Sequence, residues 1–379
     1  MRLGISILLL AFVVACQNNE TTKEDVPMGK VDLMMRQYAD SILIHPEITA
    51  VSIGVFYQKE KHSGHFGSLE KGGTNKPSNQ TIYEIGSVTK TMIGTLVAKA
   101  ELEGKLSIED DIRAYLPEKY PNLEYAGDPI RIRHLLTHTS RMPYFLPLSA
   151  GDLFTTINDS IPFLLDTILA NYTQAQFFAD LHAVTIDTTP GVRYAYSNAG
   201  TELVGYILTN VYKQSLDELI VDYYGKQHGM ASTRIANEGI YATKNIALGR
   251  WLNNETPSPS LKNPLWGSAG NVRSTTLDML NYIELQLDET NPIITKAHTI
   301  LYTDGKRNNI GYFWRISEEE NEGLTYSHHG GTPGMQNWIY LFPDYDLGIS
   351  VITNQSGPET AGRLANLIQQ LFDTLKLES

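Results

Sequence analysis

Apolar residues recur with helical spacing at Val31, Met34, Tyr38 and Ile42, and Pro46 ends that run. The period then shortens to two. Val51, Ile53 and Val55 alternate with Ser52, Gly54 and Phe56, which predicts a strand, and Lys59-Glu60-Lys61 turns the chain toward a second strand near His65. The far end of the chain repeats the two-residue period over 338–342 and 347–353, around a turn at Pro343-Asp344-Tyr345-Asp346. A last amphipathic helix carries Leu364, Leu367, Leu371 and Leu375. Between these ends most segments read as helix: 92–103 closing at Gly104, 108–115, 161–169, 201–212 and 216–224.

This pattern predicts an α+β fold: an antiparallel sheet made from both chain ends and flanked by helices, with a mostly helical domain inserted between them. The sheet domain is expected over 29–86 and 255–379, and the helical domain over 87–254.

The first 15 residues carry one charge, Arg2, and an apolar stretch that ends at Ala15-Cys16 before the polar run Gln17-Asn18-Asn19-Glu20. That stretch falls short of the ~20 apolar residues of a spanning helix and reads as an export signal. Cys16 is the only cysteine, and Val13-Val14-Ala15-Cys16 resembles a bacterial lipobox, whose thiol is acylated and becomes the mature N-terminus. Residues 16–28 then form a polar tether, and the expected location is the bacterial cell envelope, lipid-anchored, periplasmic or surface-exposed. With its one thiol acylated, the protein has no disulfide, thiolate nucleophile or cysteine-bound zinc.

Composition narrows the functions further. The 379 residues are 42% hydrophobic and 19% charged, a globular balance, and the net charge is -12 without any Lys/Arg block. Phosphate binding needs clustered positive charge, so nucleic acid is excluded as a partner.

Three short segments offer chemistry. Ser87 and Lys90 stand three apart at the start of a predicted helix, where side chains share one face and the helix N-terminus favours developing negative charge. Tyr196-Ser197-Asn198 offers a phenol to relay protons and an amide to hold a substrate carbonyl. His328-His329-Gly330-Gly331 precedes a Gly-rich turn in which backbone N–H groups can approach a substrate oxygen. Each pattern has a competitor: Ser68 with Lys71, Tyr120 with Asn122, and the His-x-Gly runs at His62 and His65. Spacing alone leaves these open. His134 and His138 are four apart, a spacing that suits a metal, but no acidic third ligand accompanies them. The chain has no Gly-x-Ser-x-Gly elbow, and Tyr144 and Phe145 read equally as pocket wall or core.

Taken together, these segments resemble the serine β-lactamase-related family, which includes class C β-lactamases, DD-carboxypeptidases, D-aminopeptidases and β-lactamase-like esterases. The resemblance runs from about Val51 to Asn354 and keeps the family order. It covers Tyr83 to Thr91, Leu106 to Pro117, Ile132 to Ser140, Pro190 to Gly200, Ser268 to Thr275, His328 to Gly334 and Gly348 to Asn354. It implies Ser87 as nucleophile, Lys90 and Tyr196 as base and relay, and an oxyanion hole from the N–H groups of Ser87 and Gly331. It further implies Asn198, His328 and Gly330 as substrate-binding residues, His134 and His138 as structural, and no metal or cofactor.

Three positions depart from the family pattern: His328 where class C enzymes usually carry Lys, Arg141 where Gly is common, and Met335 where Phe is usual. A histidine with an ordinary pKa of about 6.5 is expected to hold a substrate carboxylate less firmly than a lysine does, and in a pH-dependent way. The expected activity is hydrolysis of a small-molecule or peptide amide or ester through an acyl-enzyme, with a carboxylesterase as the variant on the same fold. A non-catalytic envelope protein that binds peptidoglycan or a partner is the reading from another class, and the joint presence of Ser87, Lys90 and Tyr196 weighs against it.

Overall fold

Strand-forming runs from both ends of the chain meet in one sheet. The computed structural model describes residues 29–236, 245–252, 255–305 and 309–377, so the leader and Cys16 lie outside the described residues. In chain order the elements that matter are α1 (Lys30–Leu43), β1 (Ala50–Tyr57), β2 (Glu60–Gly67), α2 (Thr89–Leu102), α3 (Ile161–Leu169), α4 (Asn198–Tyr212) and α5 (Thr276–Gln286). They continue with β3 (Tyr302–Thr303), β4 (Asn309–Gly311), β5 (Trp314–Glu319), β6 (Gly323–Gly331), β7 (Gln336–Phe342), β8 (Leu347–Thr353) and α6 (Thr360–Leu375). The eight strands lie in the order β2-β1-β8-β7-β6-β5-β4-β3, and every neighbouring pair is antiparallel.

The alternation in β1 has an unexpected outcome, because all eight of its residues are buried. Val51, Ile53 and Val55 face one core with Met35 and Ile42 of α1 and Leu364 and Leu371 of α6. Phe56 faces the other core, shared with Met92 and Leu96 of α2 and Leu280 and Ile283 of α5. A sheet covered on both faces needs no polar side, so the small residues on the second face serve close packing rather than solvation. Each large side chain buried this way stabilises the fold by about 1.5–3 kcal/mol relative to exposure.

Two expected helices are corrected. The segment 108–115 forms only a 3₁₀ turn, Ile112–Tyr115. Its aspartates bond the backbone instead, Asp110 Oδ2 accepting from Ser107 N at 2.8 Å and Asp111 Oδ1 from Arg113 N at 3.0 Å, an alternative to helix that short acidic side chains offer. The segment 216–224 is α-helical only over Leu216–Ile220 and then widens into a π-helix, Val221–Gln227. No helix among the described residues is long and apolar enough to cross a membrane.

A second, three-stranded sheet joins Tyr83–Glu84 to Val272–Ser274 and Arg234–Ile235, and it delivers the chain directly to the turn that carries Ser87.

Candidate active site

Ser87 sits in the 3₁₀ turn Gly86–Val88, just before α2. Gly86 has φ +49°, and a Cβ there would lie 2.8 Å from the backbone nitrogen of Gly331, so only glycine fits. A Cβ on Gly330 would lie 2.2 Å from the carbonyl oxygen of Ile85. Asn337 fastens the same junction, its Nδ2 donating to the carbonyls of Ile85 (2.9 Å) and Gly330 (3.2 Å). The end of β6 is thereby held against the turn that carries Ser87.

Lys90, one turn further on, is fully buried. Its Nζ lies 3.0 Å from Ser87 Oγ and 2.8 Å from Asn198 Oδ1, and it bonds the carbonyl of Ala269. Burial pulls its pKa from 10.5 down to about 7, opposed by the nearby Glu202. A neutral amine has two protons and one lone pair. With the protons on Asn198 and Ala269, the lone pair faces Ser87. The Tyr196 hydroxyl donates to Ser87 Oγ at 2.7 Å, and its ring lies 4.9 Å from Lys90 Nζ. Burial raises the Tyr196 pKa well above its ordinary value, so near neutral pH it is a phenol and not a phenolate.

The Tyr196 segment is held by His138, whose ring packs 4.2 Å from that of Tyr196 and whose Nδ1 accepts from Ser197 N at 3.2 Å. His134 Nδ1 likewise accepts from Arg131 N at 3.1 Å. Both histidines therefore direct a ring nitrogen to the backbone. Asn198 opens α4, where Ser197 caps the helix by accepting from Gly200 N at 2.8 Å.

His328 changes the sequence-based expectation. It is 4% exposed, and its Nδ1 donates to the carbonyl of His329 at 2.8 Å, which leaves Nε2 as an acceptor. Burial, with Lys90 and Arg315 nearby, holds its pKa well below 6.5, which favours the neutral ring over the charged one that the sequence suggested.

The fixed positive charge comes instead from Arg315 on β5, opposite Ser327 of β6. It is exposed, lines the same cavity as Ser87 and His328, hydrogen-bonds Tyr194, and forms no ion pair with a carboxylate among the described residues. Sequence reasoning missed it, because its position opposite Ser327, next in sequence to His328, is set by strand pairing.

Glu202 was missed as well, although it stands four residues after Asn198 and thus on the same helix face. It is buried, with its pKa pushed up to about 8, and accepts from Ala269 N at 2.6 Å. That bond steadies the loop whose carbonyl receives the Lys90 amine.

The competing motifs lie elsewhere in bonding terms. Ser68 Oγ donates to the carbonyl of Asn75, Tyr120 OH to that of Phe178, and Asn122 to those of Leu181 and Val184. His62 faces Asp32 and Glu60, and His65 bonds Ser52 and Asn79. Of the departures, Arg141 adopts φ +65°, the conformation a glycine there would take, and is paired with exposed Asp187 at 2.6 Å. Met335 is buried with Tyr83 and Ile352, its Sδ 3.2 Å from Glu84 N.

Above Ser87 opens a cavity of 380 Å³, within the range that receives small ligands. Ser87, Tyr196, Asn198, His328 and Gly331 all line it, as do Tyr144 and Phe145.

Comparison with known proteins agrees with this architecture. Protein flp of Staphylococcus aureus (strain MW2) is 29% identical over 285 residues, covering 74% of this chain and 54% of its own length. A beta-lactamase of Providencia stuartii is 25% identical over 246 residues, 64% of this chain and 56% of its own. The chain thus spans about half the length of these curated relatives. A beta-lactamase/D-alanine carboxypeptidase from Yersinia pestis, solved with citrate, superposes with a TM-score of 0.77 at 19% identity over 91% of this chain and 98% of that one. A class C beta-lactamase gives 0.76 at 19% identity over 93% and 98%. At such identity the likeness is one of fold, the β-lactamase/transpeptidase type. The beta-lactamase family profile matches residues 35–372, both sheet ends and all the helices between them, and the chain belongs to that family.

Proposed function

We propose that this member of a β-lactamase-like serine hydrolase family hydrolyses an amide or ester that carries a carboxylate, through an acyl-enzyme on Ser87. The observation that carries the reading is the buried amine of Lys90, held 3.0 Å from Ser87 Oγ with its pKa near 7. A base poised near the working pH is what general-base catalysis requires.

As Oγ attacks the substrate carbonyl carbon, Lys90 takes the hydroxyl proton. The oxyanion accepts hydrogen bonds from the N–H groups of Ser87 and Gly331. The intermediate then collapses. The bond to the leaving nitrogen or oxygen breaks, and that atom receives its proton through Tyr196 and Lys90. Water adds to the acyl ester by the same relay in reverse and releases the acid and free Ser87.

Asn198 holds Lys90 and hydrogen-bonds Tyr144, so a substrate carbonyl that uses its amide displaces the tyrosine contact. Arg315 supports a carboxylate on the substrate, while neutral His328 supplies an acceptor at Nε2. The leader sequence supports a lipid anchor at Cys16 in the bacterial envelope. Detergent partition of wild-type protein against Cys16→Ser tests that anchor, and a wild-type protein that stays in the aqueous phase contradicts it.

The activity itself is tested with penicillins, D-Ala-D-Ala peptides and neutral esters. Wild type should turn over at least one class and Ser87→Ala none. Equal turnover by both proteins overturns the proposal.

A further inference from the structure

The hairpin between β4 and β5 turns on two residues with an uncommon backbone. Gly311 pairs with Trp314, so Tyr312 and Phe313 alone make the turn, with φ of +31° and +72°. A two-residue turn of this kind favours asparagine and glycine, because a larger side chain in that region of φ crowds its own backbone. Here two bulky aromatics occupy it, and both are 1% exposed.

The surroundings hold the turn in this state. Phe313 N donates to the carbonyl of Leu136 at 3.0 Å, and the Tyr312 hydroxyl donates to Glu101 Oε2 at 2.5 Å. A Cβ at Gly94 of α2 would lie 2.0 Å from the Tyr312 carbonyl oxygen, so the turn is pressed onto the helix that follows Ser87. Strained backbone persists only where neighbouring structure fixes it, and it gathers at sites that need a side chain aimed.

Phe313 is aimed at the proton relay. Its ring centre lies 5.3 Å from that of His138, which lies 4.2 Å from that of Tyr196. Tyr196 in turn donates to Ser87 Oγ at 2.7 Å. The His138 ring is tied by one hydrogen bond, Nδ1 accepting from Ser197 N at 3.2 Å, while Nε2 is buried without a hydrogen-bond partner among the described residues. A single bond leaves the imidazole free to tilt about it, so packing sets the tilt. Tyr194 and Tyr196 lie against the ring from its own neighbourhood, and Phe313 is brought to it from β5. The bond from Phe313 N to Leu136, two residues before His138, fixes the turn to the same segment.

We infer that Phe313 is a positioning residue for Tyr196. The strained turn holds its ring against His138, and His138 passes that support to the phenol that protonates the leaving group. The inference rests on the acyl-enzyme reading of Ser87.

The test compares the ethyl and p-nitrophenyl esters of one uncharged acid. Ethoxide needs a proton to leave, whereas p-nitrophenolate leaves as the anion. For both esters kcat/KM reports acylation and includes the same Lys90 step, so their ratio isolates proton delivery through Tyr196. Neither ester has a charge for Arg315, two residues after Phe313, to hold.

Phe313→Leu keeps an apolar side chain and the same φ, and so isolates the ring. It should lower kcat/KM for the ethyl ester at least about tenfold, part of the ~10²–10⁴ that a placed proton donor contributes, and for the p-nitrophenyl ester by no more than about twofold. Urea unfolding checks that the variant is folded, and Phe313→Met takes its place if it is not. An equal loss for both esters, or no loss for either, overturns the inference and leaves the hydrolase reading standing.

If wild-type protein turns over neither ester, the hydrolase reading fails and crystal structures of wild type and variant decide the positioning role. The Tyr196 hydroxyl should then lie within hydrogen-bonding distance of Ser87 Oγ in wild type and beyond about 3.5 Å in the variant. A hydroxyl that stays in place without the Phe313 ring overturns the inference.

Discussion

Lys90 should impose an acid limb on the reaction with its midpoint near pH 7. An ordinary lysine at 10.5 is neutral in only about 0.03% of molecules at pH 7, whereas one at about 7 is neutral in about half, so burial raises the working base about a thousandfold. Moving the amine that far costs its charged form about 5 kcal/mol, supplied mainly by desolvation of a fully buried group. Glu202 opposes this shift through its charge, and burial in turn pushes its own pKa up to about 8.

The direction follows from which form works. The neutral amine is the active one, so activity is complete above the midpoint and is lost as protons are added below it. With a neutral ester at sub-saturating concentration, kcat/KM should be half-maximal near pH 7, about 10% of maximum at pH 6 and about 1% at pH 5. The ester carries no charge and burial holds the His328 pKa well below 6.5, so the limb is assigned to Lys90. Initial rates from pH 5 to 9 measure it, with circular dichroism at each pH to show that the fold persists. A profile flat across this range, or one still rising tenfold per unit at pH 9, refutes the argument that burial makes Lys90 the base.

Other consequences follow from the same geometry. Arg315→Gln should lower kcat/KM for carboxylate-bearing substrates roughly 10- to 100-fold, the worth of a charged hydrogen bond, with neutral esters affected far less. An equal loss for both classes would remove the carboxylate role. Glu202→Gln retains an oxygen for Ala269 N and should keep most activity, whereas Glu202→Ala leaves that buried N–H unsatisfied and should cost about 1–3 kcal/mol in urea unfolding along with turnover. Gly330→Ala drives a Cβ to 2.2 Å from the Ile85 carbonyl, so it should destabilise by about 1–3 kcal/mol and displace Gly331 from Ser87, seen as a lower kcat. Wild-type stability and rate in that variant would show that β6 does not press on the nucleophile turn.

Much of this protein was legible in its sequence, for definable reasons. Two-residue periodicity identified β1 and β8 because their large apolar residues face one core while small ones such as Gly54 and Gly348 pack closely against α5 on the other face, and the run Leu347–Thr353 was read with its observed limits. The leucines of α6 gave a strong 3.6-residue period because only one face of that helix is buried. Ser87, Lys90, Tyr196 and Asn198 come together in space because short motifs on α2 and α4 set their local geometry.

What was hidden depends on contacts between distant segments. Burial of His328 beneath neighbouring elements moves its pKa away from the range that its residue type suggests. Arg315 reaches the cavity only through the pairing of β5 with β6. The helix expected over 108–115 was lost to local side-chain bonds of Asp110 and Asp111, which hydrophobic periodicity does not register.

The claim on which the rest depends is that Ser87 is the group that becomes acylated. Peptide mass spectrometry after treatment with a fluorophosphonate or a fluorescent penicillin tests it most directly. A single adduct on the peptide that contains Ser87, absent from Ser87→Ala and formed more slowly at pH 5 than at pH 8, is the predicted result. An adduct on Ser68 or any other residue, or labelling that survives Ser87→Ala, contradicts the account.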